Sequence, residues 1–327
     1  MSTLQRKWDE NQVTAKTPFA RDDFVTILSQ YDLGAYAHSE AIPQGTVQTN
    51  YILQTTRGKF VFRYYETRSR ESVLFESELL TYLAKHHYPC PVQVKSAQGI
   101  CVGEYHGKPY LILNYIEGRP VEQPNAHHWQ QVVQKAAELQ LVTRDFRSQY
   151  TPHRWNYDPD LCHTLARSEA KRINTPDARA KLAWLARELA ALELPPALPR
   201  GVCHADFHFS NLLFQEGEFV ALLDFDDANI TFMQFDLVGL IEYRAWPLNA
   251  DVLDGAKARC VVQEYERHRS LSVLEQRHLY DVYKLSILFD CVWYFDRGSA
   301  GDFLEKRKVK ALNGLGRQRF IDTLFGT

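Results

Sequence analysis

No stretch of this 327-residue chain approaches the roughly 20 consecutive apolar residues that a membrane-spanning helix needs. The segment Met1-Ser-Thr-Leu-Gln-Arg-Lys-Trp-Asp-Glu10 lacks the apolar core of a secretory signal. Surplus charge is also missing: 38 Lys plus Arg against 40 Asp plus Glu leave a formal net charge of −2. Neither nucleic acid nor an anionic membrane surface is thereby favoured as a partner. The six cysteines, Cys90, Cys101, Cys162, Cys203, Cys260 and Cys291, include no Cys-x-x-Cys pair. That spacing argues against structural zinc and for free thiols in a reducing, cytoplasmic compartment. Internal repeats and low-complexity tracts are absent as well. What remains, at 45% hydrophobic residues, is a globular chain long enough for one large or two medium domains.

The most informative stretch is His204-Ala-Asp206-Phe-His208-Phe-Ser-Asn211, followed by Leu222-Leu-Asp224-Phe-Asp226. Phosphoryl transfer uses a loop carboxylate, an amide five residues later and a second carboxylate on a following strand. Asp206, Asn211 and Asp224 have those types and that spacing. Asp206 can accept a proton from a substrate hydroxyl, and Asn211 and Asp224 can hold Mg²⁺ on a nucleoside triphosphate. Leu212-Leu-Phe214 and Phe219-Val-Ala-Leu-Leu223 read as two short strands, with Gln215-Glu-Gly-Glu218 as their turn. A hairpin brings its two outer ends together, so Asn211 and Asp224 are expected side by side, next to the loop carrying Asp206.

Upstream, residues 24–32 read as a short helix, and 48–55 and 59–65 as a hairpin with its turn at Thr56-Arg-Gly-Lys59. A helix is expected over roughly 69–86, then strands at 100–102 and 110–116. Glu117-Gly-Arg-Pro120 breaks the last strand and places a hinge near 114–118. Beyond it the spacing turns helical, near 126–144, 159–172 and 177–192. Ser272-Val-Leu-Glu275 has the form of a capping box, and Leu279, Val282, Leu285, Phe289 and Val292 continue from it at helical spacing. The expected architecture is α+β: a small β-rich lobe over 1–116 that binds the nucleotide, and a larger helical lobe over 117–327 that carries catalysis and the acceptor. A cleft between lobes suits a small-molecule site.

The first lobe needs groups for the phosphates. Gly45 and Thr46 lie in a turn whose backbone amides can face them, although a single glycine serves an ordinary turn equally well. Strand alternation puts Phe60, Phe62 and Tyr64 on one face and Val61, Arg63 and Tyr65 on the other. On the following helix, Val73, Leu79, Leu80 and Leu83 fall within about 60° of Glu76 at 100° per residue. Glu76 is thus a carboxylate on a core face, where it needs a partner. Arg63 is the expected one, with its guanidinium reaching the phosphates; a purely structural ion pair is the alternative.

With these pieces placed, residues from about 24 to about 240 resemble the aminoglycoside phosphotransferase/choline kinase superfamily, small-molecule relatives of the protein kinases. Within it the chain is similar to homoserine kinase type II-like phosphotransferases. The likeness rests on Gly45 to Glu66, Gly107 to Pro120, Val202 to Phe214, Leu222 to Asp226 and Phe235-Asp-Leu237. It implies a protein-kinase-like two-lobe fold, ATP as donor, Mg²⁺ held by Asn211 and Asp224, and Asp206 as base toward a small-molecule hydroxyl such as that of homoserine. It further implies that His204 orients the catalytic loop and that Asp236 braces it. The backbone around Asn114–Ile116 would hold the adenine.

Two features depart from the family pattern. Arg63 stands where many members carry Lys. Phe225-Asp-Asp-Ala228 replaces a Phe-Tyr-Phe-like run, and the added charge of Asp226 and Asp227 suits a cationic or amine-bearing acceptor. The same run resembles bacterial stress-response Ser/Thr kinases, which makes a protein hydroxyl an alternative. Two other readings are a non-catalytic nucleotide-binding module and a metal-dependent hydrolase using His204, Asp206 and His208. Trp293-Tyr-Phe295 is expected in the core, or as a wall of the acceptor pocket. Arg167, Lys171 and Arg172 are expected on a solvated helix face.

Overall fold

The computed structural model describes residues 15–43, 47–247, 250 and 252–326. Its first part runs α1 (Arg21–Leu28), β1 (Tyr36–Ala41), β2 (Thr49–Thr55), β3 (Gly58–Tyr64), α2 (Arg70–Lys85), β4 (Gly103–Tyr105) and β5 (Lys108–Asn114). The five strands form one antiparallel sheet in the order β1-β2-β3-β5-β4. Strand β1 was not anticipated: Tyr-Ala-His-Ser-Glu-Ala lacks the apolar alternation of a half-buried strand, and it forms as an edge to β2. The segment 100–102 is not a strand; the pairing starts at Gly103, opposite Tyr110.

Alternation along β3 divides the first lobe into two apolar layers. Phe62 and Tyr64 face Phe24, Ile27 and Leu28 of α1, with Phe60 at the margin. Tyr65 and Val61 face the other way, toward Val73, Leu79, Leu80 and Leu83 of α2 and the main core. Arg63 shares this second face. Helix α2 starts at Ser69, whose hydroxyl accepts the Ser72 amide at 3.2 Å, and it buries one side, Glu76 included.

After β5 the chain is mainly helical. It runs α3 (Ala126–Val142), α4 (Pro159–Ile173), α5 (Pro176–Ala190), β6 (Arg200–Cys203), β7 (Leu212–Gln215), β8 (Glu218–Leu222) and β9 (Asn229–Phe232). It then continues through α6 (Phe235–Ala245), α7 (Gly255–Glu266), α8 (Val273–Trp293), α9 (Leu304–Leu315) and α10 (Arg317–Phe325). The fold is therefore α+β with two lobes: an antiparallel sheet lobe and a helical lobe.

Helix α8 is the axis of the helical lobe. Ser272 caps it and Glu275 closes the reciprocal bond, as the capping-box spacing predicts. The stripe Leu279, Val282, Leu285, Phe289 and Val292 is buried, but so is nearly every other side chain of the helix. A helix buried on all sides must pair its charges. Asp281 takes Arg317 at 2.7 Å, and Lys284 takes Glu188 at 2.6 Å. Arg167, Lys171 and Arg172 are exposed on α4, as expected.

Candidate active site

Strand β6 pairs with β9 and delivers the chain into the loop that begins at His204. His204 is fully buried. Its Nδ1 accepts the Asp206 amide at 3.2 Å, so its proton sits on Nε2, which donates to the Leu223 carbonyl at 2.9 Å. Ala205 is in the left-handed region at φ 63°, which a residue with a Cβ adopts only when its surroundings impose it. Asp236, at the start of α6, supplies that constraint. Its two carboxylate oxygens accept the His204 and Ala205 amides at 2.9 and 2.8 Å, and burial raises its pKa. Asp236 and His204, expected to brace and to orient this loop, both hydrogen-bond its backbone.

Asn211 ends a single 3₁₀ turn, Phe209–Asn211, that leads into β7. Its side-chain amide donates to the Asp206 carboxylate at 2.8 Å and to the Asp206 carbonyl at 3.1 Å. Strands β7 and β8 form the expected hairpin, with Leu212 opposite Leu222. Its turn is Glu216-Gly217, both at positive φ, which favours Gly at the second position. The Leu223 amide then donates to the Asn211 carbonyl at 2.7 Å. Leu223 therefore joins the two halves of the motif: its N–H holds Asn211, its carbonyl holds His204, and Asp224 follows it directly.

The first-lobe half of the site departs from expectation at one contact. Arg63 Nη2 donates to Asp224 Oδ1 at 2.6 Å; no ion pair with Glu76 forms among the described residues. Glu76 is nonetheless buried as expected, with Oε2 lacking a hydrogen-bond partner among the described residues. Burial pushes its carboxyl up to about 7, and the Arg63 charge is the largest opposing influence. The two residues face one electrostatic environment, but the guanidinium reaches across to the half-exposed carboxylate of Asp224 instead.

The charge of Asp226 is consumed inside the protein, which corrects its assignment to a cationic acceptor. Arg68 donates to Asp226 through Nε at 2.9 Å and Nη2 at 3.2 Å, and to Asp227 at 2.8 Å. Gln48 adds a bond to Asp226 at 3.0 Å. Burial alone would raise the Asp226 pKa, but Arg68 and then Arg63 outweigh it and hold the group well below the usual carboxylate range. Arg68, Gln48 and Arg154 were invisible to sequence reasoning, because each lies more than 70 residues from the loop it holds and no local spacing marks it.

The other expected residues are placed as follows. Gly45 and Thr46 lie outside the described residues. The Asn114 amide is already donated to Val92 O at 2.9 Å, so its N–H is not available to an adenine edge. The backbone groups of Tyr115 and Ile116, just past the end of β5, make no backbone hydrogen bond among the described residues. Trp293 stacks on Trp155 with ring centroids 5.5 Å apart, and Arg68 lies over Trp155 at 5.0 Å.

The hydrolase reading does not fit this geometry. Both nitrogens of His204 are engaged, Nδ1 by the Asp206 amide and Nε2 by the Leu223 carbonyl. His208 is buried against Tyr243, bonded to Ser210, and held neutral by burial with its pKa lowered to about 4. No cluster of three His, Cys, Asp or Glu side chains suited to a metal occurs among the described residues. Asn211 and Asp224 do fit a hard divalent cation. The Asn211 amide nitrogen is spent on Asp206, which leaves its oxygen as the outward donor beside a half-exposed carboxylate. Mg²⁺ is commonly held by so few protein oxygens when nucleotide phosphates complete its shell.

Comparison with known proteins agrees with this site. The phosphotransferase enzyme family (APH) matches residues 38–271. Homoserine kinase of Pseudomonas aeruginosa (strain UCBPP-PA14) is 33% identical over 265 residues, which cover 80% of this chain and 82% of that protein. Homoserine kinase of Bartonella henselae (strain ATCC 49882 / DSM 28221 / CCUG 30454 / Houston 1) is 31% identical over 266 residues, covering 78% and 79%. Among solved structures, amicoumacin kinase hAmiN in complex with AMP-PNP, Ca²⁺ and Ami matches with a TM-score of 0.65 at 15% identity, covering 98% of this chain and 95% of that one. The gentamicin–APH(2")-IIa complex matches with a TM-score of 0.60 at 12% identity, covering 94% and 99%. The structural likenesses establish the kinase-like fold, and the family match with the homoserine kinase identities establishes descent: this chain belongs to the phosphotransferase enzyme family.

Proposed function

We propose that this enzyme transfers the γ-phosphoryl group of ATP to the side-chain hydroxyl of homoserine. The observation that carries the reading is the convergence of Asp206, Asn211 and Asp224 through the backbone of Leu223. The homoserine kinase relatives favour that acceptor. The buried free thiols Cys90, Cys162, Cys203 and Cys291 suit a reducing, cytoplasmic setting.

In this reading the adenine lies against the backbone past β5, at Tyr115 and Ile116. Arg63 leaves or shares Asp224 to meet the phosphates. Asn211 and Asp224 would hold Mg²⁺, which would supply neutralisation of charge on the phosphates. Asp206 receives the acceptor hydroxyl, orients its oxygen toward the γ-phosphorus and takes its proton as the new P–O bond forms and the bond to the ADP oxygen breaks. The Asn211 amide holds the Asp206 carboxylate in place for this step. His204 and Asp236 act on the loop backbone and touch no reacting atom. Positioning and electrostatics account for the rate.

The test is an ATP-consumption assay over homoserine, choline, ethanolamine, aminoglycosides and a generic Ser/Thr protein, with ³¹P NMR of the product. Homoserine should give the highest kcat/KM and an O-phosphate product. An equal or higher value for any other acceptor would overturn the homoserine assignment.

A further inference from the structure

Asp224 is left-handed, at φ 63° and ψ 63°, immediately before the turn Phe225–Asp227. That conformation disfavours a residue with a side chain, so something must hold it. The turn is held from outside the motif. Arg154 donates Nε to the Ala228 carbonyl at 2.8 Å and Nη2 to the carbonyls of Phe225 and Asp226. Its Nη1 donates to the Ser72 carbonyl and hydroxyl at the start of α2. Arg68, from the segment between β3 and α2, forks onto Asp226 and reaches Asp227. Gln48, just before β2, bonds Asp226 with its amide nitrogen and the Glu66 amide with its oxygen.

Resting on the phosphotransferase reading, we infer that Arg68 is a positioning residue: through Asp226 and Asp227 it fixes the backbone of Asp224 and ties metal binding to the seating of the sheet lobe. Three features carry this. The acceptors of Arg68 lie two and three residues from the strained Asp224. All the side chains concerned are largely buried, with Arg68 and Asp226 exposing 15% and 10% of their side-chain surface. The donors Arg68 and Gln48 come from the sheet lobe, while their acceptors belong to the helical lobe. A shift of that lobe therefore pulls on the turn, and a rotation of Asp224 pulls back. The hydrogen bonds of Arg68 among the described residues go to Asp226 and Asp227, so its effect should fall on the metal rather than on proton transfer. Lysine is a poor replacement, because one ammonium cannot reproduce a planar fork over two carboxylates.

The experiment compares wild type, Arg68→Met and Arg68→Lys by two readouts. The first is the gain in Tm on adding AMP-PNP with Mg²⁺, relative to AMP-PNP with EDTA. The second is the Mg²⁺ concentration for half-maximal kcat at saturating ATP and homoserine. Outer-shell partners of metal ligands typically change affinity by 10–100-fold, so Arg68→Met should raise half-saturating Mg²⁺ by about 10-fold or more and lose the Mg²⁺-dependent Tm gain. The KM for homoserine should move less than about twofold, and Arg68→Lys should fall between the two. If Arg68→Met does not fold, Arg68→Lys carries the same test. Unchanged Mg²⁺ dependence and Tm gain in a folded variant, whatever its overall stability, would overturn the inference alone. A wild-type chain without any Mg²⁺-dependent Tm gain would overturn the phosphotransferase reading, and the inference with it.

Discussion

The two halves of the active site are built in different ways. In the helical lobe, His204, Asp206 and Asn211 sit on one short stretch of chain and are held chiefly by its own backbone and by Asp236, whereas Asp224 and the turn after it are also held by Arg63 and Arg68 of the sheet lobe. In the sheet lobe, Arg63 and Glu76 are set by strand and helix faces, and their partners come from across the cleft. The loop from His204 to Asn211 makes these bonds without the sheet lobe. The second depends on how they meet. The loop from His204 to Asn211 is therefore locally preformed, whereas Arg63, proposed to meet the phosphates, is already paired with Asp224.

The sharpest way to break this comparison is at Asp206. Asp206→Ala should lower kcat by about 10³-fold while leaving AMP-PNP affinity within roughly twofold, because Asp206 is proposed to meet the acceptor hydroxyl and not the nucleotide. Steady-state kinetics and calorimetry decide it, and a kcat near wild type would end the assignment.

Next in size, Arg63→Ala should raise the KM for ATP by about 10–100-fold, the range for losing hydrogen bonds to a charged group. Glu76→Gln should change it by less than about fivefold, since Asp224 and not Glu76 is the ion-pair partner. Equal losses in the two variants would restore the Arg63–Glu76 pair as the operative one.

A third prediction probes the rigidity of the catalytic loop. His208 has a folded pKa of about 4 against the ordinary 6.5, because burial disfavours its cation. The native state therefore binds fewer protons than the unfolded chain between those values. Its contribution is complete above about pH 6.5 and is lost as pH falls toward 4. Between pH 7.5 and 5 wild type should lose about 2 kcal/mol from this group, and His208→Asn should remove that slope. Urea unfolding at both pH values measures it, and parallel curves for the two proteins would refute it.

The smallest effect should come from Ser272→Ala. Loss of the α8 cap should lower stability by about 1 kcal/mol and Tm by about 2 °C, with kcat unchanged, because the cap is remote from both halves. A changed kcat in this folded variant would show that the helical-lobe site is less self-contained than its hydrogen bonds indicate.

Legibility in the sequence follows the same division. The β7–β8 hairpin was readable because strand period, turn residues and polar ends all occur within one window. The burial of Glu76 was readable from helical phase, and the capping of α8 from the spacing of Ser272 and Glu275. Strand β1 was not, since an exposed edge strand carries no apolar alternation. The partner of Arg63 was misjudged because faces specify a direction and not which of two carboxylates lies along it. The surplus charge of Asp226 and Asp227 was likewise assigned outward, when Arg68 turns it inward.

By itself, then, the sequence determined the candidate residues, the order of the lobes and the elements whose signals are local. Periodicity, capping and turn formation act over a few residues and leave their mark in a few residues. Only the tertiary structure decided which charges meet. Arg63 with Asp224, Arg68 with Asp226 and Arg154 with the turn beyond it pair over roughly 70 to 160 positions. Buried charge must find a partner, but that requirement names no partner until the lobes pack and the distances between them are set.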